Sequence, residues 1–169
     1  MVWAPAAGSL PVAVLLLENF SMICFASTVE PLREANYVAK YRAYDWRVIS
    51  PDGQAVRASN GLTVSVDGSI EDVPHCPMVI VCSSFDPHLH VTPKILAWLR
   101  KLDRQGSQIG GVETGTYVLA RAGLAETICV GVGIVSSPCR RVHTAPVTAA
   151  CLAAGCAAIT ESWRRLGIR

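Results

Sequence analysis

Glu113 is where the chemistry of this sequence concentrates. It lies in Ser107-Gln-Ile-Gly-Gly-Val-Glu-Thr-Gly-Thr-Tyr-Val-Leu-Ala-Arg-Ala-Gly-Leu124, which reads as a short apolar strand, a tight glycine-rich turn and a helix. A side chain at such a corner is pushed out over the end of a sheet, where α/β enzymes often carry a nucleophilic Ser or Cys. Here the corner holds a carboxylate. The helix dipole and the free backbone N–H groups favour an anion there. The carboxylate then has two uses open to it. It caps the helix, or it forms, with Thr114, an anionic floor for a ligand that carries a cation. Phe20, Phe85 and Tyr117 lie on the loops expected around it and would add cation–π walls.

Thiols and imidazoles supply the other candidates. Cys24 lies one turn into the first predicted helix, and Cys82 ends a strand beside the expected cleft, followed by Ser83 and Ser84. A nucleophilic Cys needs a lowered pKa and a partnering base, and no His is placed to serve either thiol. His88-Leu-His90 and His75-Cys76 match no common zinc spacing, so no metal and no cofactor are expected. The Arg140-Arg141 and Arg164-Arg165 pairs are too few for a nucleic-acid footprint, and no helix-turn-helix pattern is present.

These residues need strands and helices to hold them. Pro11-Val-Ala-Val-Leu-Leu-Leu17 is a continuous apolar run, as in a strand buried on both faces. From Phe20 to about Lys40 the spacing turns helical, with Met22, Phe25, Val29, Leu32 and Asn36 on one side. Pro31 inside that run predicts a kink or a two-part helix. Asp45–Ser50 is a second strand, closed by the turn Pro51-Asp-Gly53. Residues 56–66 suggest a short hairpin or an edge excursion around Ser59-Asn-Gly61. Pro77–Cys82 is another buried strand, and residues 83–87 form a loop at its end. Thr92-Pro93 starts a helix that runs to Gly106. The strand Ile109–Val112 and the helix Thr114–Ala122 follow, the latter stopped by Gly123.

This order specifies an α/β architecture with a mainly parallel sheet, whose ligands bind beyond the C-terminal strand ends. Three loops gather there: 18–22, 83–87 and 113–117. After Leu124 the pattern weakens. Residues 128–135 suit a strand, Ala149–Ile159 a small apolar helix, and Ser162–Arg169 is basic. No internal repeat is found.

With 51% hydrophobic residues and a net charge of +2, the 169-residue chain is long enough for one sizeable core and is not disordered. No run approaches the length of a membrane span, and no basic region precedes the first apolar stretch as in a signal peptide. Seven cysteines, an odd number without a regular framework, suit reduced thiols in a cytoplasm. Charge is unevenly placed. Residues 1–126 hold twelve of the thirteen acids, whereas residues 127–169 hold Glu161 and five arginines. Four of the seven cysteines also lie beyond residue 126. A domain over 1–126 is therefore expected, followed by an atypical tail that reads as the product of truncation or a frame shift.

Several stretches together resemble the ThiJ/PfpI superfamily, which shares the class I glutamine amidotransferase fold. More narrowly, they resemble the N-terminal sensor domain of GlxA-type regulators of the AraC family. They are Val12–Leu17 with Asn19-Phe-Ser21, Val29-Glu-Pro-Leu-Arg-Glu-Ala-Asn36 and Tyr44-Asp-Trp-Arg47. Then come Ser50-Pro-Asp-Gly53, Ser59-Asn-Gly-Leu62, Val79-Ile-Val-Cys82 and Gly110–Leu124. The resemblance covers about residues 10–125. It implies a flavodoxin-like three-layer sandwich, incomplete here at the C-terminus, that senses a small metabolite as a homodimer. The implied ligands are cationic amino-acid derivatives such as betaines, carnitine or arginine, and the DNA-binding domain of the regulators is absent from this chain.

Superfamily enzymes carry a Cys at the elbow, where this chain has Glu113. They carry an acid early in the first helix, where it has Cys24. Thiol and carboxylate are thus exchanged. The strand before Phe85 usually ends in glycines, where this chain has Ser83 and Ser84. The expected function is non-enzymatic sensing, with no catalytic residue. The expected binding residues are Glu113, Thr114, Tyr117, Phe20, Phe85, Cys24, Ser83 and Ser84. The alternative is a ThiJ/PfpI-type small-molecule enzyme using Cys24 or Cys82.

Overall fold

The computed structural model describes residues 3–124 and the short strand 134–136. Strands β1 (Leu10–Leu16), β2 (Tyr44–Ser50), β6 (Met78–Ser83) and β7 (Gln108–Glu113) run parallel. With β5 (Gly68–Ser69) and β8 (Ile134–Ser136) they form a six-stranded sheet in the order β5-β2-β1-β6-β7-β8. Only β8 is antiparallel to its neighbour. This is the mainly parallel α/β sheet that the apolar runs predict.

β1 explains the layering. Val12, Val14 and Leu16 point to one face, and Ala13 and Leu15 to the other, all of them fully buried. A strand covered on both faces has no polar side to show, so its sequence does not alternate. On one face the cover is α1 (Met22–Ala39). On the other it is α3 (Pro93–Arg104) and α4 (Gly115–Arg121). The α3 start is as expected, with Thr92 accepting a hydrogen bond from the Ile95 N–H at 3.4 Å and Pro93 at the first position. Its spine is Ile95, Trp98, Leu99 and Leu102, and the Trp98 indole donates to the Val73 carbonyl at 2.9 Å.

Two features of α1 differ from expectation. The helix runs unbroken through Pro31. The proline removes one backbone N–H, and the carbonyl four residues back, on exposed Ser27, is left to water at little cost. The buried spine is also rotated. It is Cys24, Thr28, Leu32 and Ala35, while Met22, Phe25, Val29 and Asn36 flank it half-buried. Asn36 clamps the next strand, accepting from the Tyr44 N–H and donating to its carbonyl, both at 2.8 Å.

The expected hairpin is β3 (Val56–Arg57) with β4 (Thr63–Val64), antiparallel. Three small elements do not follow from the sequence pattern. They are β5, the 3-10 turn Ile70–Asp72 with its Ser69/Asp72 capping box, and the single-turn α2 (Pro87–His90). None is long enough to show a period. Of the strand expected in 128–135, the described residues include Ile134 and Val135, which lie in β8 (Ile134–Ser136). The helix at Ala149–Ile159, the basic end and the tail beyond 126 otherwise lie outside the described residues. So does the expected incompleteness of the sheet.

Candidate functional site

Two glycines make the elbow. A Cβ on Gly111 in β7 would lie 2.5 Å from the Gly115 backbone, and a Cβ on Gly115 would collide with the Val81 carbonyl. The start of α4 therefore sits directly on β6 and β7, and only glycine permits that approach. Between these glycines Glu113 has φ +54°, a left-handed backbone rare for a residue with a side chain. Asn19 after β1 (φ +61°) and Asp86 after β6 (φ +51°) share it. Three strained residues thus gather at the C-terminal end of the sheet, the end where parallel sheets bind ligands.

The carboxylate of Glu113 is held by neighbours on both sides. The Ser84 hydroxyl donates to Oε1 at 2.8 Å, and the Cys24 thiol donates to Oε2 at 3.5 Å. The loop is tied in turn by Thr114, whose hydroxyl donates to the Ser84 carbonyl at 2.6 Å. Thr116 closes the first turn onto the Glu113 carbonyl at 2.9 Å. The N-cap is Thr114, without a side-chain capping bond.

The thiols are poorly suited to attack. Burial pushes the Cys24 thiol above its ordinary value. Hydrogen bonding with Ser21 opposes this, while the charge of Glu113 and the bond to it add to the rise. Burial pushes Cys82 up to about 12. A nucleophile needs the opposite shift. Ser83 pairs in register with Glu113, and its hydroxyl is buried without a hydrogen-bond partner among the described residues.

The three aromatic residues do not form one cage. Phe20 is fully buried in the core on the α1 side, edge-to-face with Phe25 at 5.8 Å, and cannot line a cleft. It lies four residues past the end of β1 and continues the core that β1 begins. Tyr117 is half-buried and already engaged, its hydroxyl accepting from Arg121 at 2.9 Å with the guanidinium over the ring. Phe85 alone is 65% exposed, one residue from Ser84. The geometry thus brings together Glu113, Cys24, Ser84 and Thr114, places Ser83 and Phe85 beside them, and takes Phe20 away.

What the sequence reading missed is a second concavity. A cleft of about 310 Å³ lies between the ends of β1 and β2 and the α2 turn, lined by Glu18, Asp52 and His90 among others. Its signal, acids just after two strand ends, was present but unremarkable.

Parallel sheet, covering helices and a strained elbow over the strand ends define a domain of ThiJ/PfpI, flavodoxin-like fold. A ThiJ/PfpI family protein from Pseudomonas syringae superposes with a TM-score of 0.58 at 16% identity, over 70% of this chain and 48% of that one. By sequence the chain is similar, over about two thirds of its length, to part of the GlxA-type, AraC-family transcriptional regulators. It is 47% identical over 114 residues to the HTH-type transcriptional regulator CdhR of Pseudomonas aeruginosa, covering 66% of this chain and 33% of that protein. An AraC family transcriptional regulator from Pseudomonas putida superposes with a TM-score of 0.61 at 27% identity, over 68% of this chain and 61% of that one. The chain spans about a third of the length of the curated regulators it matches. No protein-family model matches it. Among the described residues no helix is long and apolar enough to cross a membrane.

Proposed function

We propose that this domain is the small-molecule-sensing part of a GlxA-type transcriptional regulator and that it catalyses no reaction. The observation that carries the reading is the elbow. Where this geometry would present a nucleophile, it presents a carboxylate held by Ser84 and Cys24. A carboxylate oxygen accepts more than one hydrogen bond, so Oε1 and Oε2 each keep capacity for a ligand donor or cation. Exposed Phe85 stands at the rim, where it can meet an onium group. Thr114 and Ser83 complete the floor, and Tyr117 forms its outer side. The ligand class is a cationic amino-acid derivative, and the active form is a homodimer. The cysteine-enzyme alternative is disfavoured by burial, which raises both thiols.

The test is a thermal-shift screen of the protein against glycine betaine, carnitine and arginine. A ligand at 100 times its Kd stabilises the folded state by about 2.7 kcal/mol, which raises Tm by roughly 5–10 °C for a chain of this size. The expected result is such a shift with at least one compound, lost in Glu113→Ala. A shift that survives Glu113→Ala removes the elbow from the binding site.

A further inference from the structure

The cleft of about 310 Å³ beyond β1 and β2 is separate in its lining from the Glu113 elbow. It lies beside the point where the topology divides, between β1 and β6. From β1 the chain crosses through α1 to β2 on one side, and from β6 through α3 to β7 on the other. Open parallel sheets bind ligands in the crevice beyond the strand ends at that switch. The lining comes from three chain segments: Glu18 after β1, Ser50 at the end of β2 with Asp52 after it, and Leu89, His90 and Thr92 after β6. The volume falls in the range of small-molecule sites.

We propose that this crevice is a second binding site, for a small ligand bearing a primary ammonium or guanidinium group. The lining carries two carboxylates, and among its described residues there is no Lys or Arg and no Phe, Tyr or Trp. Both carboxylates are partly engaged and partly free. Glu18 Oε2 accepts from the Arg57 N–H at 3.4 Å, and Oε1 takes no bond among the described residues. Asp52 Oδ1 accepts from the Gln54 N–H at 3.0 Å, leaving Oδ2 toward other donors. The fully buried Ser50 pins this loop, donating to the Gln54 carbonyl at 2.8 Å and accepting from the Gly53 N–H at 2.9 Å. Asp52 is therefore set in place before any ligand arrives, which lowers the cost of binding. His90 Nε2, in the wall, is buried and has no hydrogen-bond partner among the described residues.

This lining rewards N–H donors, which form charge-assisted hydrogen bonds to carboxylates. A quaternary ammonium has no N–H and relies on aromatic faces that the crevice lacks. The discriminating probes are agmatine, with both kinds of cationic N–H group, and choline, with neither. The experiment is calorimetric titration of the full chain with each. Agmatine binding is expected to weaken about tenfold or more in the double variant E18Q/D52N, whereas any binding of choline is expected to be unchanged in it. Absence of agmatine binding overturns the proposal, as does unchanged affinity in E18Q/D52N or a loss confined to Glu113→Ala. The last result would move the ligand to the elbow and leave the sensing proposal standing. If the double variant does not melt cooperatively, Leu89→Arg decides. Leu89 is 68% exposed at the mouth, so a cation there repels agmatine without disturbing the fold, and unchanged binding in it overturns the proposal.

Discussion

The carboxylate of Glu113 is bound to two groups that need it. Ser84 is only 3% exposed and Cys24 only 2%, so their hydroxyl and thiol have little water to turn to if the acceptor is removed. A buried donor left alone costs about 1–3 kcal/mol. The backbone of Glu113 works the other way, since φ +54° strains any residue with a Cβ. Replacing the side chain by Ala and by Gly separates these effects. Both variants lose the acceptor, but only Gly relaxes the backbone. Glu113→Ala is expected to destabilise the protein by about 1–3 kcal/mol. Glu113→Gly should be the more stable of the two by about 1 kcal/mol. Urea melts of both variants measure the difference. Equal stabilities would mean that the elbow stores no strain at this residue, and a more stable Ala variant would contradict the left-handed backbone.

The elbow depends on how closely α4 can approach the strands. Gly115 faces the Val81 carbonyl with no room for a Cβ, and the obstacle is backbone, which cannot rotate aside. Overpacking costs about 1–3 kcal/mol in ordinary cores. Gly115→Ala is expected at the upper end of that range, about 3 kcal/mol in a chemical melt, and should also displace Thr114 and Glu113. Gly123→Ala is the control. Nothing lies within 4 Å of its Cβ position, so its cost is the left-handed strain at φ +75° alone, about 1 kcal/mol. A Gly115→Ala variant as stable as this control would show that α4 can slide off the strands.

The same scale shows what the sequence made legible. β1 and β6 announce themselves because strands buried on both faces must be apolar throughout, and α3 because Thr92-Pro93 and the Ile95–Leu102 spine carry both a start and a period. The α1 spine was legible only in part. Cys24, Thr28 and Ala35 are small or polar, so a reading weighted by hydrophobicity chose their bulkier flanks. Phe20 was misplaced for the opposite reason, since an aromatic residue on a loop looks like a cleft wall unless the loop is known to fold back into the core. The contact between Cys24 and Glu113 follows from the resemblance and not from spacing, because nothing local links residues 89 positions apart.

At the scale of the molecule, one sheet carries two cores. Leu15, Val81 and Ile109 meet Leu99 and Leu119 on one face, while Val14, Ile80 and Val112 meet Phe20 and Leu32 on the other. The crevice and the elbow lie at the strand ends, so both are positioned by β1 and β6, the central pair. If the two cores form one cooperative unit, damage to either face must reach the other through these strands. Leu99→Ala should cost about 2–5 kcal/mol and Phe20→Ala about 3–5 kcal/mol, as large-to-small changes in buried sites do. Hydrogen exchange tests the coupling. The slowest amides are expected in β1 and β6, and each variant should lower their protection by its own full loss of stability. If Leu99→Ala instead loosens only α3 and α4 and leaves β1 protected, the faces unfold separately. The elbow, whose carboxylate is held from α1 on one face and from β6 beside it, would then have a support that can fail on one side while the other remains folded.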